Sequence, residues 1–246
     1  MGVCLAWPND AFELEEAQIF RVVHSAPPAS PRSPLAQWLD WLRDRLPFLS
    51  AAVPSDPWVL AGRRPNRSAT VRLRFRATGR AVCVATYHMP CLFGSKLHEQ
   101  TMAVHAAAFV RLARRFAGST PLVLAGDFNV TPGGVVYELL LTGALPESDA
   151  AELIATAPTA KCEDHDFSQH WNLRSAYAEA LGGEPEFTIR SWRAEAPAPF
   201  IGTLDYVFVG DGIQVDGVRD LPCVESLPAD VQAFPSETEP SDHVLL

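Results

Sequence analysis

Residues 121–134 read PLVLAGDFNVTPGG. The apolar run Leu122–Ala125 has the length and composition of a buried strand, and it stops abruptly at Gly126, Asp127, Phe128 and Asn129. Side chains two apart on a strand share a face, so Asp127 and Asn129 are expected to project together from its end. A carboxylate there can bind a hard cation or position a water. A neutral amide can hold a phosphate oxygen or the nucleophile without adding charge. Asp and Asn are also common turn residues, and an Asx-type turn explains the same letters.

Three more stretches pose the same choice. In Leu204-Asp205-Tyr206-Val207-Phe208, a carboxylate interrupts an apolar strand. Breaking up a buried charged pair costs on the order of 3–5 kcal/mol, so Asp205 demands a donor. Backbone or a tyrosine would serve as well as a catalytic partner. Ser241-Asp242-His243 precedes the apolar Val244-Leu245-Leu246. Neighbouring side chains diverge in extended chain, which suits Asp242 and His243 to separate tasks, although a polar turn is the plainer reading. An imidazole oriented by a distant carboxylate is an acid–base unit. Thr86-Tyr87-His88-Met89 ends another apolar strand. A lone His is most often a satisfied core residue, but this one stands at a strand end, level with Asn129.

Working outward, Val71-Arg72-Leu73-Arg74-Phe75-Arg76 alternates strictly, and a hairpin through Thr78-Gly79-Arg80 joins it to Ala81–Met89, a central strand. GVCLAW (2–7) and AQIFRVV (17–23) read as two short strands around the turn Pro8–Asp10. Ala26–Pro34 is a Pro-rich connector, and Leu35, Leu39, Leu42 and Leu46 share a helix face with Trp38 beside them. Ser95 can cap a helix from Lys96 to Phe116 that stops at Gly118. A short helix near Val135–Leu141, an irregular region to Gln169 and a helix over Trp171–Leu181 follow. Thr203–Gly210 and Ile213–Leu221 are read as strands. This order implies an α/β sandwich in one domain.

Composition narrows the functional classes. No stretch approaches the roughly 20 apolar residues of a membrane span. The first residues lack the basic region of a secretory signal and the Ser/Thr of a myristoylation signal. Five cysteines without a CxxC pair suit reduced thiols in an intracellular, cytoplasmic setting. A net charge of −9 argues against stable duplex DNA binding. Seven arginines between Arg63 and Arg80 form a solvated ladder or, as the minority reading, a phosphate track. The dense polar loop Cys162–Asp166 with His170 lacks zinc-type spacing. His98 and His105, seven apart on the long helix, are read as exposed or packed.

In this order, YHM (87–89), GDFN (126–129), LDYVF (204–208) and SDH (241–243) resemble the endonuclease/exonuclease/phosphatase superfamily. The HM strand followed by a Lys-containing helix, and the LDYVF form, look most like its deadenylase, nocturnin and 2′-phosphodiesterase branch. The resemblance runs from Gly2 to His243. It implies a deoxyribonuclease I-like fold, two β-sheets flanked by helices, that hydrolyses phosphate esters with Mg²⁺ or Mn²⁺. Carried over, Asp127 orients the attacking water or binds metal, and Asn129 contacts the scissile phosphate. Asp242 is a metal ligand, Asp205 holds His243 for acid–base work, and His88 bonds a phosphate oxygen. Thr86 stands where relatives often place an asparagine, giving a shorter substrate-binding donor.

One departure is larger. Members carry a metal-binding glutamate, usually in a Gln-Glu pair at the end of an earlier strand, and none precedes GVCLAW here. Glu13, Glu15 and Glu16 are poor replacements, read instead as solvated charges. The resemblance therefore implies a single domain over 1–246 that is N-terminally incomplete, lacks its first strand and carries 26–50 as a local insertion. The implied activity is phosphodiester hydrolysis of RNA or oligonucleotides. The alternatives are a phosphatase acting on a small phosphorylated metabolite or inositol lipid, and a catalytically impaired remnant.

Overall fold

The computed structural model describes residues 2–23, 56–157, 167, 170–192, 196–226, 233–236 and 239–246. The connector and amphipathic helix expected within 26–50, and residues Cys162–Asp166 of the polar loop, lie outside the described residues. In chain order the elements are β1 (Phe12–Arg21), α1 (Pro57–Gly62), β2 (Arg67–Phe75), β3 (Ala81–Tyr87), α2 (Lys96–Ala117), β4 (Leu122–Asp127), α3 (Val135–Thr142), α4 (Glu147–Ala155), β5 (Arg174–Ser175), α5 (Ala176–Leu181), β6 (Ile189–Ser191), β7 (Phe200–Gly202) and β8 (Asp205–Val209). A six-stranded sheet has the order β1-β2-β3-β4-β8-β5, and β6 pairs with β7 in a second sheet. Two sheets with flanking helices match the expected α/β class.

The hairpin turns where the sequence predicts, with Gly79 at φ 70°, and β2 pairs antiparallel with β3. β3 and β4 are parallel, so the chain must cross over between them, and α2 is that crossover. Ser95 starts α2 by accepting the His98 N–H, and Gly118 ends it at φ 59°. The helix is alanine-rich on its buried side, with Ala103, Ala106, Ala107 and Ala113 buried beside Phe109 and Val110, so it lies close over Cys83, Ala85, Tyr87 and Leu124. The opposite sheet face buries Val71, Leu73 and Val82 under Leu5, Trp7 and Ile213.

The arginine ladder is paired across β1 and β2. Arg72 bonds Glu16 at 3.1 Å, Arg74 Nε bonds Glu15 at 2.6 Å, and Arg76 lies 3.7 Å from Glu13. This explains why a strand with three glutamates forms at all: opposite charges face each other along it. It also places those glutamates on the edge strand, with β2 and β3 between them and β4. Three of the seven arginines are engaged in these pairs, which speaks against a phosphate track along Arg72, Arg74 and Arg76.

Some expectations fail for physical reasons. Gly2–Trp7 forms no strand; Leu5 and Trp7 pack onto the sheet face, and β1 begins only after Phe12 N–H bonds Pro8 O at 3.0 Å. Ile213–Leu221 is likewise not a strand: Ile213 and Leu221, at its two ends, pack against separate apolar clusters while most of the length between them is exposed. The helix expected over Trp171–Leu181 is confined to α5, since Ser175 caps it and Arg174–Ser175 joins the sheet. The region expected to be irregular contains α4.

Candidate active site

Two carboxylates meet at the centre of the large sheet. β4 and β8 are antiparallel, and their register sets Asp127 opposite Asp205. Like charges facing across a strand pair are unfavourable, more so when half-buried. Each is therefore met by an imidazole. His88 Nε2 lies 3.3 Å from Asp127 Oδ2, and His243 Nδ1 lies 2.7 Å from Asp205 Oδ2. Burial, and then the charge of Asp205, push the Asp127 carboxyl above the usual range, against the pull of His88, the Asn129 N–H and His243. The bond to Asp205 raises the His243 imidazole against the opposing effect of burial.

Each group is fixed by its local chain. Gly126, the penultimate residue of β4, has φ 152°, and an added Cβ there would lie 2.2 Å from Tyr87 O. Only glycine permits β4 to lie so close to the end of β3. The chain then turns rather than continuing as a strand. The Asn129 N–H donates to Asp127 Oδ1 at 2.9 Å, and Asn129 itself is left-handed at φ 51°. This Asx turn replaces the expected side-by-side projection of strand residues, and it is compatible with asparagine's tolerance of that conformation. The Asn129 amide donates to Met89 O at 3.0 Å. Tyr206 Oη donates to Val130 O at 2.8 Å, tying the same loop to β8.

His243 arrives through the second sheet. Ile189 bridges to His243, with Val244 N–H bonding Thr188 O at 2.8 Å and Arg190 N–H bonding Asp242 O at 3.0 Å. Thr188 is fully buried. Its hydroxyl donates to Asp205 Oδ2 at 2.7 Å and accepts from the N–H groups of Leu204 and Asp205, both at 3.0 Å. Asp205 Oδ2 thus takes two donors, Thr188 and His243. Asn66 holds the other imidazole's backbone, donating to His88 O at 2.9 Å. Sequence reasoning missed both Thr188 and Asn66. A signal for the first existed: a buried Asp205 needs a donor, and Thr203, Ser191 and Thr188 are the nearest upstream hydroxyls.

The structure thus brings together His88, Asp127, Asn129, Asp205 and His243. Thr86 is half-buried in β3 opposite Ala125, one position short of Gly126. Asp242 is not part of the central cluster, because turning His243 toward Asp205 turns its neighbour away; its charge still raises the His243 imidazole. Among the described residues, the group able to hold a metal ion is Asp127, Asp205 and His243, with ligand atoms within 4.8 Å of one another. Two carboxylates and an imidazole suit a divalent cation. His105 is elsewhere: fully buried in α2, its Nδ1 lies 2.8 Å from Tyr87 Oη.

Residues 63–243 match the Endonuclease/Exonuclease/phosphatase family. The chain belongs to that family. Within the family it is 29% identical over 177 residues to Nocturnin of Drosophila melanogaster, covering 71% of this chain and 26% of that protein. It is likewise 29% identical over 173 residues to 2',5'-phosphodiesterase 12 of Homo sapiens, covering 69% of this chain and 26% of that one. The chain thus spans about a quarter of the length of these curated relatives. The solved structure of ANGEL2, a 2',3'-cyclic phosphatase, in complex with adenosine-2',3'-vanadate superposes with a TM-score of 0.56 at 18% identity, over 96% of this chain and 66% of that one, and shows the same fold. No helix among the described residues is long and apolar enough to cross a membrane.

Proposed function

We propose that the chain hydrolyses phosphodiester bonds in RNA or oligonucleotides with the help of a divalent cation. The observation that carries this reading is the facing pair of carboxylates, Asp127 and Asp205, each backed by its own imidazole across β4 and β8. Such an array can accept a proton on one side and donate one on the other. Asp127, with its basicity raised by burial, orients a water and takes its proton. His243, held through Nδ1 by Asp205, presents its other ring nitrogen to a phosphoryl or leaving oxygen. His88 hydrogen-bonds a phosphate oxygen. Asn129 keeps the Asp127 carboxylate in place and offers its amide to the substrate.

The residues that would hold the cation are Asp127 and Asp205, which leaves the free ring nitrogen of His243 for the phosphate; Asp242, a metal ligand by the resemblance, lies outside this cluster. A bound cation would neutralise charge on the phosphoryl oxygens and leaving group. RNA is favoured over small metabolites by the names of relatives, among them 2',5'-phosphodiesterase 12 and a probable 3'-5'-exoribonuclease subunit Ccr4.

The substrate class is tested by offering the protein short single-stranded RNA and an inositol polyphosphate in parallel, with Mn²⁺ or Mg²⁺. Cleavage of RNA alone is expected. Release of phosphate from the inositol compound, with RNA intact, would replace this reading with a phosphatase.

A further inference from the structure

Arginines that no glutamate matches gather at one corner of the large sheet. Arg72, Arg74 and Arg76 each meet a carboxylate of β1, but the last rung of the β1–β2 pair sets Arg21 opposite Arg67. Like charges directly opposite across a strand pair are unfavourable. Arg63, between α1 and β2, and Arg67 are exposed, and Arg64 is half-buried. Among the described residues none of these four arginines has an ion-pair partner. Arg21 donates through Nη2 to Gly62 O at the end of α1, at 2.9 Å, and its buried Nε has no acceptor. The corner therefore carries positive charge that the fold itself does not neutralise.

That corner adjoins the reaction centre. Ser68 stands opposite Tyr87, so the next step of the β2–β3 ladder sets Arg67 beside His88. Asn66 fixes this end of the pair by donating to His88 O at 2.9 Å. Opposite residues share a sheet face, so Arg67 is on the face from which His88 reaches Asp127. Across the sheet, in the order β1, β2, β3, β4 and β8, the row reads Arg21, Arg67, His88, Asp127 and Asp205. From strand spacing, the backbone of Arg67 lies about 5 Å and that of Arg21 about 10 Å from the backbone of His88. A phosphate adjoining the one that His88 bonds falls within reach of an extended arginine there.

We propose that Arg67, supported by the charges of Arg21 and Arg63, is a subsite for the phosphate next to the scissile one. The inference rests on the phosphodiesterase reading and adds to it a requirement for chain length: the preferred substrate carries a second phosphate beside the reacting one. An anion seated at Arg67 relieves its repulsion with Arg21, and a guanidinium matches a phosphate through paired N–H donors. Such a contact reads the backbone and positions it, so it is indifferent to the base. It also gives a chain of net charge −9 a local attraction for RNA at the one place where RNA must approach.

Binding is read first, without turnover. Fluorescence anisotropy of a short labelled single-stranded RNA is followed in EDTA over a range of KCl concentrations, for the unaltered chain and for Arg67→Gln, Arg67→Lys and Arg80→Gln. Arg80 is exposed at the far end of the β2–β3 hairpin and controls for the loss of one charge. Arg67→Gln is expected to weaken binding roughly tenfold, the share of one charge-assisted hydrogen bond. It should also flatten the slope of log K against log salt by about 0.7, the value of one phosphate contact on a single strand. Arg67→Lys keeps the charge and should restore most of both, and Arg80→Gln should match the unaltered chain. Turnover with Mn²⁺ then compares ApA, which has one phosphate, with ApApA, which has two. The unaltered chain should favour ApApA roughly tenfold in kcat/KM, and Arg67→Gln should lose that preference. Equal weakening by Arg67→Gln and Arg80→Gln, no RNA binding by the unaltered chain, or a preference for ApApA that survives Arg67→Gln would overturn the proposal. Cleavage of both compounds without preference refutes the subsite alone. Salt-sensitive binding that is lost in Arg67→Gln, without cleavage of either compound, refutes the hydrolase reading alone.

Discussion

Thr188→Val removes one hydroxyl and almost nothing else in volume, yet three hydrogen bonds depend on that oxygen. Thr188 Oγ1 donates to Asp205 Oδ2 and accepts from the N–H groups of Leu204 and Asp205. In the valine variant two backbone donors lose their acceptor and the carboxylate loses one of its two donors. At about 1–3 kcal/mol for each buried donor left unpaired, the two backbone N–H groups together cost about 2–6 kcal/mol of stability. The chemistry should suffer separately, because Asp205 then has His243 alone to fix it. A fall of roughly 10- to 100-fold in kcat with little change in KM is expected, comparable to losing the partner of a ligand side chain. Urea denaturation gives the first number, and Mn²⁺-dependent cleavage of bis(p-nitrophenyl) phosphate gives the second. Thr188→Ser keeps the oxygen and should restore most of both. Equal losses in the serine and valine variants would refute the reasoning, for they would assign the effect to packing by the methyl group.

Other consequences are as direct. Gly126→Ala places a Cβ 2.2 Å from Tyr87 O, a backbone atom that cannot step aside, so β3 and β4 must separate; a loss of about 3 kcal/mol or more in urea denaturation is expected. Burial pushes the His105 imidazole down to about 3, from the ordinary 6.5 of a histidine, so the neutral form belongs to the fold. Its contribution is complete above about pH 6.5 and is lost as pH falls toward 3, at about 1.4 kcal/mol per pH unit, because the unfolded chain binds a proton that the folded one refuses. His105→Gln should flatten the pH dependence of the urea midpoint between pH 7 and pH 4, relative to the unaltered chain. Asp205→Asn removes the chief cause that raises His243, and the imidazole's titration midpoint, followed by NMR, should move down.

Much of the site was legible because its residues interrupt apolar runs. Asp127, Asp205 and His88 each stand at the end of a strand whose alternation or apolar run can be read in the chain, and a polar group at such a place needs a reason. Asn129 was legible as a site residue but not as a turn, since strand alternation and an Asx turn compete for the same four letters and only the closeness of Tyr87 to Gly126 decides between them. Thr188 and Asn66 left no periodic trace, being single polar residues whose partners lie 17 and 22 positions away. The ion pairs of Glu13, Glu15 and Glu16 were hidden in the same way, because the arginines that permit β1 lie more than fifty residues downstream. Gly2–Trp7 and Ile213–Leu221 show the converse. An apolar run becomes a strand only when another strand accepts its hydrogen bonds, and here each run packs some side chains onto a sheet without joining it.

The central claim is that Asp127, Asp205 and their imidazoles form the reaction centre, and the most direct test is cleavage of short single-stranded RNA with Mn²⁺ by the chain and by its Asp127→Ala variant. The account predicts metal-dependent cleavage that falls by at least a hundredfold in the variant while the variant stays folded by circular dichroism. Cleavage that is undiminished in Asp127→Ala, or no cleavage by the folded, unaltered chain with either Mn²⁺ or Mg²⁺, would contradict it.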